Sequence, residues 1–272
     1  MSVSAIDFNR PQRFSQFHQQ LAVQPDFAGN DKRNEKAVKA VAAASSLAGM
    51  ATVLTLIAKK QGFPVKPKEL KNIPIKDWAF FKIAEKGVPN QKLLQIEEKE
   101  ILGLAAGSIA GGLAGGALVD RKNMKAKFRE SITQMFGNVV VPVAFVGATS
   151  RLYNKYEQNI KNAMPQIKDA STKFTKGLNK FIKVLPAAGM TAAALTAGIF
   201  TGSKVTNFIN EKFFDQKTER KIKTTDFAPH VDDLCLAITL MGSKDSPVAS
   251  TITRTVPLFL SVPGYQVGKA KD

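Results

Sequence analysis

Residues 101–119 read ILGLAAGSIAGGLAGGALV, and no charge interrupts them. Four glycines recur there at every fourth position: Gly103, Gly107, Gly111 and Gly115. This spacing places them on one side of a helix, which becomes a flat groove where another helix can contact bare backbone. Glycine costs a helix in water about 1 kcal/mol per residue relative to alanine, whereas a bilayer enforces internal backbone hydrogen bonding. The stretch therefore predicts a helix within a membrane.

Further small residues extend this pattern. A second row on the same helix consists of Ser108, Gly112 and Gly116. The pattern resembles the glycine zipper of many unrelated membrane proteins, a resemblance that covers only this stretch and implies no functional residue. Rows with the same spacing occur in two other apolar runs: Ala40, Ala44, Ala48 and Thr52 in one, and Gly189, Ala193, Ala197 and Thr201 in the other, beside Ala194, Gly198 and Gly202. Because lipid gives helices no hydrophobic reason to associate, such faces predict close helix packing.

Four uncharged runs reach the ~20 residues needed to cross a bilayer core: 40–58, 101–119, 132–150 and 184–203. Pro142 is expected to kink or interrupt the third run. We therefore predict an all-α fold, a helical membrane bundle with small-residue, glycine-zipper-like packing and basic amphipathic linker helices. The mean hydropathy is only −0.09, which leaves a soluble protein with an Ala/Gly-rich helical core as the alternative.

Composition divides the chain into regions. In the C-terminal part we expect a short helix over 228–241 and a second run over 248–262, which Pro263 and Gly264 end. Together these two pieces would form a helical hairpin packed against the bundle, or a re-entrant hairpin. Three regions follow: a polar N-terminal tail (1–39), a membrane helical region (40–203) and a C-terminal helical hairpin region (204–272).

The linker over residues 59–100 is rich in lysine and broken by prolines. Within it, residues 77–86 read DWAFFKIAEK and place Trp78, Phe80 and Phe81 beside lysines. Aromatic and basic side chains in this mixture are typical of a segment lying at the membrane–water interface. A small soluble core built on the same three aromatic residues is the alternative.

The chain is strongly basic, with a formal net charge of +17 and an isoelectric point near 9.9. Residues 151–183 alternate lysines with apolar residues and predict basic amphipathic helices. This balance favours anionic partners, and we expect the anionic headgroups of membrane lipids to be the main ones. Nucleic acid is not expected as a partner, because no RNA-binding, zinc-finger or helix-turn-helix signature is present.

The sequence contains no motif for catalysis or cofactor binding. It has no nucleophile elbow and no phosphate-binding loop. His230, Asp232, Asp233 and Cys235 lie close together in the sequence and could hold a metal, although acidic residues are also favoured at a helix N-terminus. Arg254 lies in an apolar run and is a candidate for a buried ion pair with Asp232 or Asp233. We therefore expect no catalytic residue, no cofactor and no metal.

These features predict a membrane location and a non-enzymatic role. We expect an integral membrane protein that serves as a scaffold, assembly or translocation component, with a second copy or another membrane protein as partner. Self-association would use the face from Gly103 to Gly115. The alternatives are a small solute or ion transporter, and a soluble or peripheral helical protein that binds membranes reversibly.

Overall fold

The computed structural model describes residues 27–72, 96–168, 171–215, 219–231 and 258–271. These residues are mostly helical and include no strand, which confirms the all-α prediction. The helices are α1 (Phe27–Lys60), α2 (Pro67–Leu70), α3 (Glu98–Val119), α4 (Met124–Ile132), α5 (Val141–Ala163), α6 (Lys173–Phe214) and α7 (Val262–Lys269). Shorter elements are the 3-10 turns Arg121–Asn123 and Thr224–His230, and a π-helical segment, Thr133–Val140.

The chain divides into two compact units, Met1–Ala37 and Val38–Asp272. The second unit contains most of the described residues, and the packing below belongs to it. Four helical stretches are long and apolar enough, by length and composition, to cross a membrane: Asn34–Lys60, Glu98–Val119, Arg121–Ala163 and Lys173–Phe214. Each of the four uncharged runs predicted from sequence lies within one of them.

Helices α1 and α3 run antiparallel. The first turn of α3 is closed by a capping box between Glu97 and Glu100, in which the Glu97 N–H donates to Oε2 of Glu100 at 3.1 Å. Towards this end of the pair, apolar side chains form a buried core: Met50, Leu54, Ala58, Leu104 and Leu260. A smaller core joins α3 to the π-helical segment and α5 through Ala105, Val139 and Val143.

Pro142 does not interrupt its helix. Helical structure continues from Arg121 to Ala163, and the π-helical segment directly precedes Pro142. A proline lacks an N–H and its ring clashes with the turn before it, so a wider turn is a physical way to accommodate it. Of the two expectations, a kink or an interruption, the interruption is not found, because the helix changes pitch before Pro142 and continues.

Helix α6 spans 42 residues and contains Pro186 without a break. It begins where Oγ1 of Thr172 accepts from the N–H of Thr175 at 3.1 Å, and it ends at Asp215, which adopts a left-handed conformation with φ 52°. It therefore continues past residue 203, where we placed the end of the membrane region. α6 lies antiparallel to α4 and α5.

The C-terminal prediction needs a correction. Pro263 and Gly264 do not end a helix; they lie in the first turn of α7, which begins at Val262. Proline is favoured in a first helical turn because its missing N–H has no intrahelical partner there. The predicted helix over 228–241 begins within the 3-10 turn Thr224–His230, and residues 232–257 lie outside the described part of the chain.

Candidate functional site

The first glycine row of α3 lies against the backbone of α1. A Cβ built on Gly111 would lie 3.0 Å from the Ser45 carbonyl carbon and 3.1 Å from Cα of Gly49. One built on Gly107 would lie 2.8 Å from the Gly49 carbonyl oxygen, and one on Gly115 would meet the Ser45 side chain. Gly103 is less crowded, because its nearest neighbour is a methyl group of Val53 at 3.6 Å.

The second row of α3 contacts α7. A Cβ on Gly112 would lie 2.9 Å from Cα of Gly264. One on Gly116 would lie 3.0 Å from the Gly268 carbonyl oxygen. The two rows therefore lie against two different helices, and α7 can approach because it supplies glycines of its own.

Three serines tie α1, α3 and α7 together where these rows meet. Oγ of Ser46 and Oγ of Ser108 are 3.0 Å apart, and both hydroxyls contact the Ser261 carbonyl oxygen. Oγ of Ser108 also accepts from the Gly264 N–H at 3.0 Å. Each polar atom of this group has a partner, as burial requires.

Glycines of α6 lie similarly close to the backbone of α5 and of the π-helical segment. A Cβ on Gly198 would lie 2.6 Å from Cα of Pro142, and one on Gly202 would lie 3.0 Å from Cα of Gly137. Gly189 differs, since a Cβ there would meet nothing within 4 Å.

Two predicted small-residue rows stay at the surface of the described chain. On α1 the row that lies against the first glycine row of α3 consists of Val41, Ser45, Gly49 and Val53. The predicted row on α1 is exposed at all four positions: Ala40, Ala44, Ala48 and Thr52. Most of the first row predicted on α6 is exposed as well: Gly189, Ala193 and Ala197. Within the chain, α1 covers the face from Gly103 to Gly115.

Lys127 forms the most deeply buried ion pair among the described residues. Its Nζ donates to Oδ2 of Asp120 at 3.0 Å and to the carbonyl oxygens of Gly268 and Ala270, each at 2.8 Å. Burial acts to raise the pKa of Asp120, but the hydrogen bonds from Asn123 and Lys127 and the Lys127 charge outweigh it and lower that pKa. Lys127 thereby supplies a hydrogen-bond donor to two carbonyl oxygens at the C-terminal end of α7.

Arg220 and Asp226 form a second charged centre. The guanidinium donates to both Asp226 carboxylate oxygens, at 2.7 and 3.0 Å, and lies 3.8 Å from Oε1 of Glu130. Burial acts to lower the pKa of Arg220, but the hydrogen bond to Asp226 and the charges of Glu130 and Asp226 raise it above its ordinary value. The bidentate pair fixes the segment after α6 on itself, and the Glu130 carboxylate joins that segment to α4.

The π-helical segment carries amides that continue this network. Nδ2 of Asn138 donates to Oε1 of Gln134 at 2.9 Å and to Oδ1 of Asp226 at 2.8 Å. Nε2 of His230 lies 2.8 Å from the Asn138 carbonyl oxygen, so this nitrogen carries the proton. That carbonyl is four residues before Pro142, which has no N–H to donate to it.

One buried side-chain atom in the described residues has no partner, namely Oδ1 of Asn210. The side chain lies on α6 facing the π-helical segment, where its Nδ2 is 3.3 Å from Oγ1 of Thr133. The neighbouring side chains Gln134 and Thr206 are also buried. A polar patch therefore lies inside the helical packing between α6 and this segment.

Several predicted site residues lie outside the described part of the chain. They are the interfacial residues Trp78, Phe80 and Phe81, and the ion-pair candidates Arg254, Asp232 and Asp233. Within the described ranges, no group of three or more His, Cys, Asp or Glu side chains could hold a metal.

Sequence reasoning missed both charged centres. Asp120 and Lys127 are seven residues apart, two helical turns, directly after an uncharged run, and this spacing is the one available signal. Arg220 and Asp226 lie in a polar segment that offers no such signal. No protein-family model, no curated protein and no solved structure matches this chain.

Proposed function

We propose that this protein is a non-enzymatic α-helical integral membrane protein that acts as a scaffold or assembly component. The observation that carries the proposal is the placement of small and large residues. Glycines bring backbones together at the helix contacts, while large apolar side chains on the same helices point outward: Leu47, Leu56, Phe136 and Phe200, which are 40%, 61%, 44% and 56% exposed. A water-soluble protein buries its large apolar side chains, whereas lipid solvates them.

Charges lie where a bilayer-spanning pair would place them. Helix α1 ends at Lys59 and Lys60, and α3 begins with Glu98 and Glu100, whereas 101–119 is uncharged. Lysines near the ends of apolar helices interact with anionic headgroups. We therefore assign membrane lipids as the principal partner, in agreement with the net charge.

The exposed small-residue rows support a scaffold rather than an isolated bundle. Ala44 and Ala48 on α1, and Gly189 and Ala193 on α6, give flat surfaces to which another membrane helix can bind closely. These faces replace Gly103–Gly115 as the place where a second copy or another membrane protein packs.

Alkaline carbonate extraction of membranes from cells that express the full chain tests the proposal. We expect the protein to stay in the membrane pellet. Release into the supernatant, with the helical fold retained, would contradict it and would favour a soluble or peripheral membrane-binding protein.

A small solute or ion transporter is the second candidate. The polar patch with the unpartnered Oδ1 of Asn210 favours it, because polar groups inside a membrane bundle often line transport pathways. Flux measured in proteoliposomes for a panel of ions separates the two. Flux that is abolished by Asn210→Leu, in a variant that still folds, would favour the transporter. An absence of flux through the wild-type protein would favour the scaffold.

A further inference from the structure

Two helices are far longer than a bilayer requires. The helical stretches Arg121–Ala163 and Lys173–Phe214 contain 43 and 42 residues. At 1.5 Å per residue each is about 63 Å long, twice the ~30 Å thickness of a hydrocarbon core. They lie antiparallel, because Gly198 faces Pro142 and Gly202 faces Gly137. A large part of this pair must therefore lie outside any bilayer that holds the bundle.

Gly147 lies beside Glu98, and this contact marks where α5 extends past the end of α3. A Cβ on Gly147 would lie 2.9 Å from Oε1 of Glu98, in the first turn of α3. Helix α5 continues from Gly147 to Ala163, which extends it about 24 Å farther. Since α5 continues without a break and α6 passes through Pro186 as a helix, the pair projects outward rather than folding onto its own leaflet.

The projecting part is here named the basic hairpin and consists of residues 151–168 and 171–183. Its tip is held by Asn179, whose side chain accepts from the Ile167 N–H at 2.9 Å and donates to the Ile167 carbonyl at 3.0 Å. Over 151–183 the sequence has eight basic and two acidic residues. Seven of the basic side chains are exposed: Arg151, Lys155, Lys168, Lys173, Lys176, Lys180 and Lys183.

Exposed apolar side chains accompany these charges. Phe174 is 77% exposed, Leu152 is 53% exposed and Tyr156 is 44% exposed. Lysine is depleted from protein–protein interfaces, where arginine is preferred, and seven of the eight basic residues here are lysines. Lysines with bulky apolar side chains are instead typical of surfaces that bind anionic bilayers.

We infer that the basic hairpin docks on a second, anionic phospholipid bilayer, so that the protein bridges two apposed membranes. This inference rests on the proposed function, because the bundle has to be anchored in a first membrane. The lysines provide electrostatic attraction to the lipid phosphates, and Phe174, which lies near the tip, inserts among the headgroups.

The test uses the full chain in nanodiscs of neutral phosphatidylcholine, mixed with separate vesicles rich in phosphatidylserine. Flotation of the vesicles measures how much nanodisc they carry. The hairpin variant combines Lys155→Gln, Lys168→Gln, Lys173→Gln and Lys176→Gln. The matched control removes four exposed lysines at the start of the linker 59–100: Lys59→Gln, Lys60→Gln, Lys68→Gln and Lys71→Gln.

We expect the hairpin variant to need at least about 100-fold more vesicles for half-maximal binding, because each lysine near an anionic surface contributes strongly. The control should keep most of its binding. Equal binding by both variants, or no binding of anionic vesicles by the wild-type nanodisc, would overturn the docking inference alone. A chain that fails to incorporate into nanodiscs and remains in water would instead overturn the proposed function.

Discussion

Nζ of Lys127 lies 3.0 Å from Oδ2 of Asp120, and the two side chains are 0% and 5% exposed. The same amino group donates to the Gly268 and Ala270 carbonyls, so one lysine joins the turn after α3 to the end of α7. A buried charge with three partners is strongly coupled to its surroundings, because each partner left alone would be a desolvated polar group.

Lys127→Met should lower the free energy of unfolding by about 3–5 kcal/mol, because it leaves the Asp120 carboxylate buried without its cation. The exposed Lys125 provides a matched control, and Lys125→Met should change stability by less than about 0.5 kcal/mol. Unfolding in a mild detergent measures both. Adding Asp120→Asn to Lys127→Met should recover part of the loss; a double variant no better than the single one would contradict the pairing.

The Asp120 pair should also make stability depend on pH. Its folded pKa lies below the ordinary value of 3.8, so folding disfavours the protonated form. The stabilisation is present above that ordinary value and is lost as the pH falls below it, through the folded pKa. Wild-type unfolding midpoints should therefore fall more steeply below about pH 4 than those of Asp120→Asn. Parallel profiles for the two proteins would argue against this role of the carboxylate.

Gly111→Ala and Gly189→Ala are the same chemical change in opposite surroundings. At Gly111 the new methyl group would meet the backbone of Ser45 and Gly49, and we expect a loss of about 1–3 kcal/mol. At Gly189 nothing lies within 4 Å, so the better helix propensity of alanine should leave stability unchanged or raise it by up to about 1 kcal/mol. Thermal unfolding in detergent compares them, and equal losses at both positions would rule out the described packing.

His230→Leu should destabilise the protein by about 1–3 kcal/mol, because the Asn138 carbonyl loses the donor at 2.8 Å. Pro142→Ala restores an N–H four residues after that carbonyl. In the Pro142→Ala background, His230→Leu should therefore cost less. A double-mutant cycle on unfolding free energies checks this, and strict additivity would show that the histidine does not compensate for the proline.

The long helices were predictable from the sequence, because an uncharged run of about twenty residues is long enough to cross a bilayer, where the backbone has to satisfy its hydrogen bonds internally. Both faces of 101–119 were also predictable, since the glycines at 103, 107, 111 and 115, and those at 112 and 116, leave only backbone for a neighbour to contact. Which rows of α1 and α6 pack against a neighbour was not predictable. Ala44 and Ser45 lie on adjacent rows, and spacing alone does not say which one faces α3.

The sequence by itself determined that this protein is helical, where its apolar stretches lie and that it is strongly basic, because these depend on composition and on periodicity within one helix. Only the tertiary structure decided which faces are covered and which charges are buried. Lys127 and the Gly268 carbonyl are 141 residues apart in the chain. A contact at that separation depends on how α3, α4 and α7 pack, and no local pattern encodes it.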